Sequence, residues 1–107
     1  MKSEQFMRNM KMIFTRDEME RIVITADEQG TTNVDLDLHG LDCKQAQRLV
    51  KNVINVNRGE FILDVIHGYH NGTALKSLLL NTDWGVRVRF KNCSDVNPGR
   101  TYLAIAA

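Results

Sequence analysis

Three histidines and one glycine-bounded turn are the parts of this sequence that could do chemistry. The stretch Val65-Ile66-His67-Gly68-Tyr69-His70-Asn71-Gly72-Thr73-Ala74-Leu75-Lys76 sets two imidazoles between two glycines, after an apolar run and before a helix-like one. The third histidine stands in Asp37-Leu38-His39-Gly40, where an alternating stretch ends. An imidazole, with an ordinary pKa of about 6.5, gains and loses protons near neutrality. Gly68 and Gly72 let the main chain approach a bound group closely. The unpaired amides that open a helix around Thr73 to Lys76 favour an anion, and Lys76 adds charge. Together these residues suit proton transfer beside a held phosphate.

Such groups meet only if the elements that carry them end together. Val34, Leu36 and Leu38 alternate with Asp35 and Asp37, the pattern of a strand with one wet face. Asp42, with Gln45 following, predicts an N-cap and capping box for a helix running to about Asn57. Ala46, Leu49, Val50, Val53 and Ile54 form its apolar stripe, and Lys44, Arg48 and Lys51 fall opposite. Phe61 to Ile66 reads as a second strand, Thr73 to about Asn81 as a second helix, Val86 to Phe90 as a third strand and Thr101 to Ala106 as a fourth. A β-α-β unit holds its strands parallel, so both strand ends emerge on the edge where open α/β sheets bind ligands. His39, His67 and His70 are therefore expected at a single rim. With neighbouring strands about 5 Å apart, Asp37, His39 and His67 are expected within reach of one small group.

Sheets covered on both faces read as nearly unbroken apolar runs. Here Arg87 and Arg89 alternate with Val86, Val88 and Phe90, as the aspartates do in the first strand, so both helices are expected mainly on one face. The fold class expected is α/β: a two-layer sandwich, β-α-β-α-β-β, with a mixed four-stranded sheet and an N-terminal helical extension. The division expected is an extension over residues 1–30 and a domain over 31–107. Within the extension, Phe6, Met7, Met10, Ile13 and Phe14 predict a short amphipathic helix near residues 3–12. Thr15-Arg16-Asp17-Glu18 suits a further capped turn, while the β-branched Arg21-Ile22-Val23-Ile24-Thr25 equally suits a strand. Packing of this region on the domain or on a second copy, as a homodimer through the helix, stays open.

Composition bounds the partners. At 107 residues the chain is long enough for one core and short for two. A formal charge of +1 supplies no bulk attraction to nucleic acid or membrane, so an anionic partner must be held by local charge. No apolar stretch approaches the roughly 18 residues that span a bilayer, and MKSEQFMRNM is too polar for a signal-peptide core, so the expected location is cytoplasmic. Cys43 and Cys93 lack CxxC spacing and fit reduced thiols with no metal and no disulfide.

Each feature also has a plainer reading. A strand-end histidine is commonly structural or solvated, and Lys44, Arg48 and Lys51 read as a solvated helix face. Trp84 and Tyr102 read first as packing residues, although an aromatic ring can stack a base. Arg87 and Arg89, taken as a pair on an open sheet face, can grip a phosphate backbone.

The combination is more specific than its parts. Leu36-Asp37-Leu38-His39-Gly40-Leu41, the amphipathic helix after it, Val65-Ile66-His67-Gly68 with Gly72 and Leu75-Lys76, and Asn97-Pro98-Gly99-Arg100-Thr101 resemble the small MutS-related, or Smr, domain over about Asn33 to Ala106. The resemblance implies the same layered fold and the nicking or cleavage of structured DNA or RNA, in some members on messenger RNA at stalled ribosomes. It also implies that Asp37 and His39 are the acid and histidine of the first motif. His67, Gly68 and Gly72 match the second, a His-Gly-Lys-Gly-x-Gly loop that faces phosphate. Tyr69 replaces the usual lysine here and His70 the middle glycine, which removes a phosphate contact and adds an imidazole.

The expectations are then concrete. Asp37, His39, His67 and His70 are the catalytic candidates, with His39 oriented by Asp37 as base or acid and His67 or His70 in the complementary role. Gly68, Asn71, Gly72, Thr73 and Lys76 are the phosphate-binding candidates, and Arg87, Arg89 and Arg100 the nucleic-acid contacts. With RNA the internal 2′-hydroxyl attacks without metal. With DNA a metal-bound water is expected, held by a divalent ion such as Mg on Asp37, His39 and His67. The alternative is a non-catalytic module that binds nucleic acid or ribosome through the same rim. A metal-holding site of three histidines and an aspartate is the third reading.

Overall fold

The computed structural model of the chain describes residues 2–68, 72–93 and 99–107. Their order is α1 (Lys2–Lys11), α2 (Arg16–Glu20), β1 (Ile22–Ala26), β2 (Thr32–Asp37), α3 (Cys43–Val56), β3 (Phe61–Ile66), α4 (Gly72–Asn81), β4 (Val88–Cys93) and β5 (Arg100–Ile105). The strands form one mixed sheet in the order β1-β2-β3-β5-β4, with β2 and β3 parallel and the other pairs antiparallel. The class is the expected α/β, with five strands where the sequence reading has four.

The extra strand comes from the N-terminal region, where both local readings hold on different residues. Thr15 and Glu18 cap each other reciprocally to start α2, and the β-branched run that follows pairs with β2, Ile22 opposite Leu36 and Ala26 opposite Thr32. Phe6, Met10 and Phe14 belong to the main core, and the Phe6 ring meets Phe61 edge-on at 5.2 Å between centroids. The apolar stripe of α1 is thus spent on this chain's own sheet. Met12 and Ile13, past the end of the helix, stay exposed.

Alternation sorts the sheet into two faces. Val34, Leu36, Phe61, Leu63, Val65, Leu103 and Ile105 are buried on the face that carries the helices. Against them lies the α3 stripe of Ala46, Leu49, Val50, Val53 and Ile54, the five residues expected. Each Val, Leu, Ile or Phe side chain among them contributes roughly 1.5–3 kcal/mol by leaving water. The Asp42–Gln45 capping box starts α3 as the sequence predicts. The other face of the sheet presents Asn33, Asp35 and Asp37 on β2, Ile62, Asp64 and Ile66 on β3, and Arg100, Tyr102 and Ala104 on β5.

The expected strand over 86–90 is displaced to Val88–Cys93, with a register irregularity between Val88 and Phe90. The alternation read from the sequence therefore does not carry through: Val86 lies in a turn and is 90% exposed, and Phe90 points away from the core at 60%. Arg87 is instead committed to the end of α3. Its guanidinium reaches the carboxyl end of α3 and donates to the carbonyls of Ile54 (2.6 Å), Asn57 (2.6 Å) and Gly59 (3.0 Å), while Nε donates to Ala106 (2.8 Å). Lys91 does the same for α4, its amine donating to the carbonyls of Leu80 and Thr82. Two cations, Arg87 just before β4 and Lys91 within it, thereby satisfy orphan carbonyls and the negative dipole ends of the two main helices.

Removing the Arg87 guanidinium leaves four carbonyls without their charged donor. Arg87→Ala is expected to lower unfolding free energy in urea titration by about 2–4 kcal/mol. Arg89→Ala, at an exposed position, should stay within about 0.5 kcal/mol of the parent.

Candidate functional site

The rim forms where β2 and β3 end side by side. Asp37 is in register with Ile66, and the ladder extends one step further as the Leu38 N–H donates to the Ile66 carbonyl at 2.8 Å. Beyond it the chain turns sharply, with the Leu41 N–H bonded to the Leu38 carbonyl at 3.0 Å and Gly40 at φ +84°. That left-handed backbone suits glycine, and it leaves His39 exposed at the corner of the turn.

Across from this turn, Gly68 also takes a left-handed conformation, φ +82°, and a methyl group built on it would lie 3.5 Å from Cδ2 of the His39 ring. His39 and Gly68 are thus neighbours, and α4 begins at Gly72, a few residues further along. Positions 39 and 67 do reach one rim, as the parallel strands require.

Side-chain direction then separates the two imidazoles. Leu38 and His67 fall on the helix-bearing face, both buried, whereas Asp37 falls on the open one. His67 is 2% exposed; its Nδ1 donates to the Gly68 carbonyl (3.2 Å), and its Nε2 is 2.9 Å from the Thr101 hydroxyl, which then donates to it. Burial is the main cause that lowers its pKa below the ordinary 6.5, helped by the Lys76 charge and opposed by the bonds to the Gly68 and Arg100 backbone. His67 is therefore a neutral residue that ties the end of β3 to the start of β5. The main-chain amides of His67 and Gly68 both donate to the Gly99 carbonyl, at 2.9 and 3.2 Å, so the Gly68 amide is engaged within the protein.

Asp37 acts on backbone. Its Oδ1 accepts the N–H of His39 at 2.9 Å, which orients the turn that carries the imidazole. The expected cation set of Asp37, His39 and His67 does not fit a shared ion: Asp37 and His67 point to opposite faces, and both ring nitrogens of His67 are engaged. Among the described residues no three His, Cys, Asp or Glu side chains gather as a metal site. Thr73 and Lys76 lie in the first half of α4, whose opening amides lack intrahelical acceptors. His70 and Asn71, like the Tyr69, Asn97 and Pro98 positions, lie outside the described residues.

The arginine expectations divide. Arg87 is committed to helix carbonyls, Arg89 is exposed, and Arg100 pairs with Asp64 at 2.8 Å on the open face. That carboxyl is nearly buried. Its Oδ1 has no hydrogen-bond partner among the described residues, and its pKa is raised, first by burial, against the attraction of Arg100 and with a further push from neighbouring Asp35. Trp84 is a packing residue, its indole N–H donating to the Leu79 carbonyl at 2.9 Å. Two contributors escape sequence reasoning: Thr101, partner of His67 from 34 positions away, and Arg21, which donates to the carbonyls of Asp37 and His39. No local signal marks either, since both bonds depend on which strands become neighbours.

Comparison of the chain with family models, curated proteins and solved structures returns no match. No helix among the described residues is long and apolar enough to cross a membrane.

Both buried ionisable groups bear on stability. A histidine whose folded pKa lies below its unfolded value of about 6.5 takes its proton more readily when unfolded, so stability is full above that value and declines as pH falls below it. Urea midpoints should drop from about pH 7.5 to about pH 5, and His67→Gln should flatten that slope. For the open face, Arg100→Ala strands a buried carboxylate and is expected to cost roughly 2 kcal/mol near neutral pH, whereas Asp64→Asn, which keeps an acceptor for Arg100, should cost less than about 1 kcal/mol.

Proposed function

We propose that this chain is an Smr-like domain that holds a nucleic-acid phosphate at the rim between His39 and the start of α4 and cleaves the adjoining phosphodiester bond. The observation that carries the reading is the exposed His39 ring lying over Gly68, four positions before α4 begins. A solvent-facing imidazole, a helix N-terminus and Lys76 supply proton exchange and positive charge, the two requirements of phosphoryl chemistry without covalent help from the protein.

In this reading RNA is the substrate whose chemistry the residues can run. His39 takes the proton of a 2′-hydroxyl as its oxygen attacks phosphorus, and the departing 5′-oxygen receives a proton from the complementary acid, assigned on sequence grounds to His70. His67 supports the centre from beneath, holding Gly68 in place as a neutral residue. Asp37 serves as a positioning residue for the His39 backbone. Free thiols at Cys43 and Cys93 agree with a cytoplasmic setting, where RNA and ribosomes are at hand.

One observation favours a second reading, a module that binds nucleic acid without cutting it: of the two described histidines at the rim, only His39 is open to a ligand. Incubation of the pure protein with structured RNA and with supercoiled DNA, with and without EDTA, separates the two. Cleavage of RNA that persists in EDTA and falls by about 100-fold or more in His39→Ala is the expected outcome. Salt-sensitive binding with intact strands throughout would decide for the binding module, and cleavage unchanged in His39→Ala would remove this histidine from the chemistry.

A further inference from the structure

We propose that Arg21, from the N-terminal region that the family resemblance leaves unassigned, is the positioning residue that sets the His39 ring at the rim; its functional weight rests on the reading above. The geometry is a two-sided grip on one residue. The Asp37 carboxylate accepts the backbone N–H of His39 at 2.9 Å, and the Arg21 guanidinium donates to the backbone carbonyl of His39 at 2.8 Å. The same Nη1 also donates to the Asp37 carbonyl at 3.1 Å, one hydrogen for each acceptor. With both of its main-chain polar groups held, His39 keeps only its side-chain torsions free.

Arg21 can do this because of where its backbone lies. It sits just before β1, and its own carbonyl accepts the Asp37 N–H at 2.9 Å, which prolongs the β1–β2 ladder to the end of β2. The edge strand thereby delivers a cation to one side of the His39 turn, while Gly68, two residues past the end of β3, approaches from the other. The imidazole stands between an arginine-held carbonyl and a glycine that offers no Cβ.

A purely structural account explains less. The β1–β2 pairing is made by backbone and survives loss of the side chain, and the His39 carbonyl lies on an exposed turn where water can satisfy it. Deleting the guanidinium therefore removes little from global stability. What it removes is the constraint on the turn, and a displacement of about 1 Å in a proton-transfer group is worth up to roughly 100-fold in rate.

The test uses Arg21→Met, which keeps the stem and loses the donors, beside Arg21→Lys, which keeps a cationic donor. In the parent protein a nuclear Overhauser contact from the His39 ring Hδ2 to the Gly68 α-protons is expected. Arg21→Met should lose most of it while cross-strand contacts between Val23 and Asp35 persist, and Arg21→Lys should recover it in part. Where the parent cleaves RNA, kcat in Arg21→Met should fall by about tenfold or more with KM nearly unchanged. An undisturbed His39–Gly68 contact in Arg21→Met overturns the proposal, as does collapse of the β1–β2 contacts together with it, which would make Arg21 merely structural. Loss of the contact in a parent that never cleaves would strike down the nuclease reading and leave Arg21 as the residue that positions His39.

Discussion

The parallel pairing of β2 with β3, with Asp37 opposite Ile66, is the constraint on which the rest of the molecule depends. It brings two strand ends to one edge and carries two histidine-bearing turns there. Because side chains alternate with a period of two, it also assigns each of those residues to a face. A slip of one residue on either strand would expose Leu36 or Val65 and bury an aspartate, so the core itself enforces this register. His67 is buried for the same reason that Val65 is: it stands two positions further along the same face.

From that pairing follows a division of labour among groups that look alike in the sequence. One described histidine is open to solvent at the corner of a turn, and the other is a neutral link between β3 and β5 through Thr101. Asp37 works on the His39 backbone. Arginines divide in the same way, with Arg87 closing the end of α3, Arg100 matched to Asp64, and Arg21 fastened to the His39 turn. The charge that the sequence suggests for a nucleic-acid face is largely employed inside the protein. The proposed phosphate contact accordingly rests on local positive charge at the α4 end of the rim rather than on a basic sheet.

The open face of the sheet carries one closely covered ion pair. Asp64, beside Asp35 on one strand and Tyr102 on the other, is almost fully covered, yet among the described residues one of its oxygens alone is bonded. Burying a charge is costly unless it is paired, and Arg100 supplies the pairing at the strand end nearest the rim. The connection β3 to β5 thus carries two polar ties on opposite faces, His67 to Thr101 within the core and Asp64 to Arg100 outside it.

Local patterns were enough for most of the elements. Alternation at Val34, Leu36 and Leu38 and the Asp42–Gln45 capping box with its five-residue apolar stripe depend on neighbours in the chain, so they could be read directly and match the structure. The N-terminal region was legible as a capped turn or a strand because Thr15 to Glu18 and the β-branched run are also local; that both form, and that Phe6 and Met10 enter the core, depends on a free edge of β2 and on space above Phe61. Tertiary structure alone decided which imidazole is buried, which arginine caps a helix and where β4 begins. Those outcomes are set by groups tens of residues away, the Thr101 hydroxyl for His67 and the orphan carbonyls of α3 for Arg87, and periodicity along a single stretch holds no information about a partner that only the folded sheet brings near.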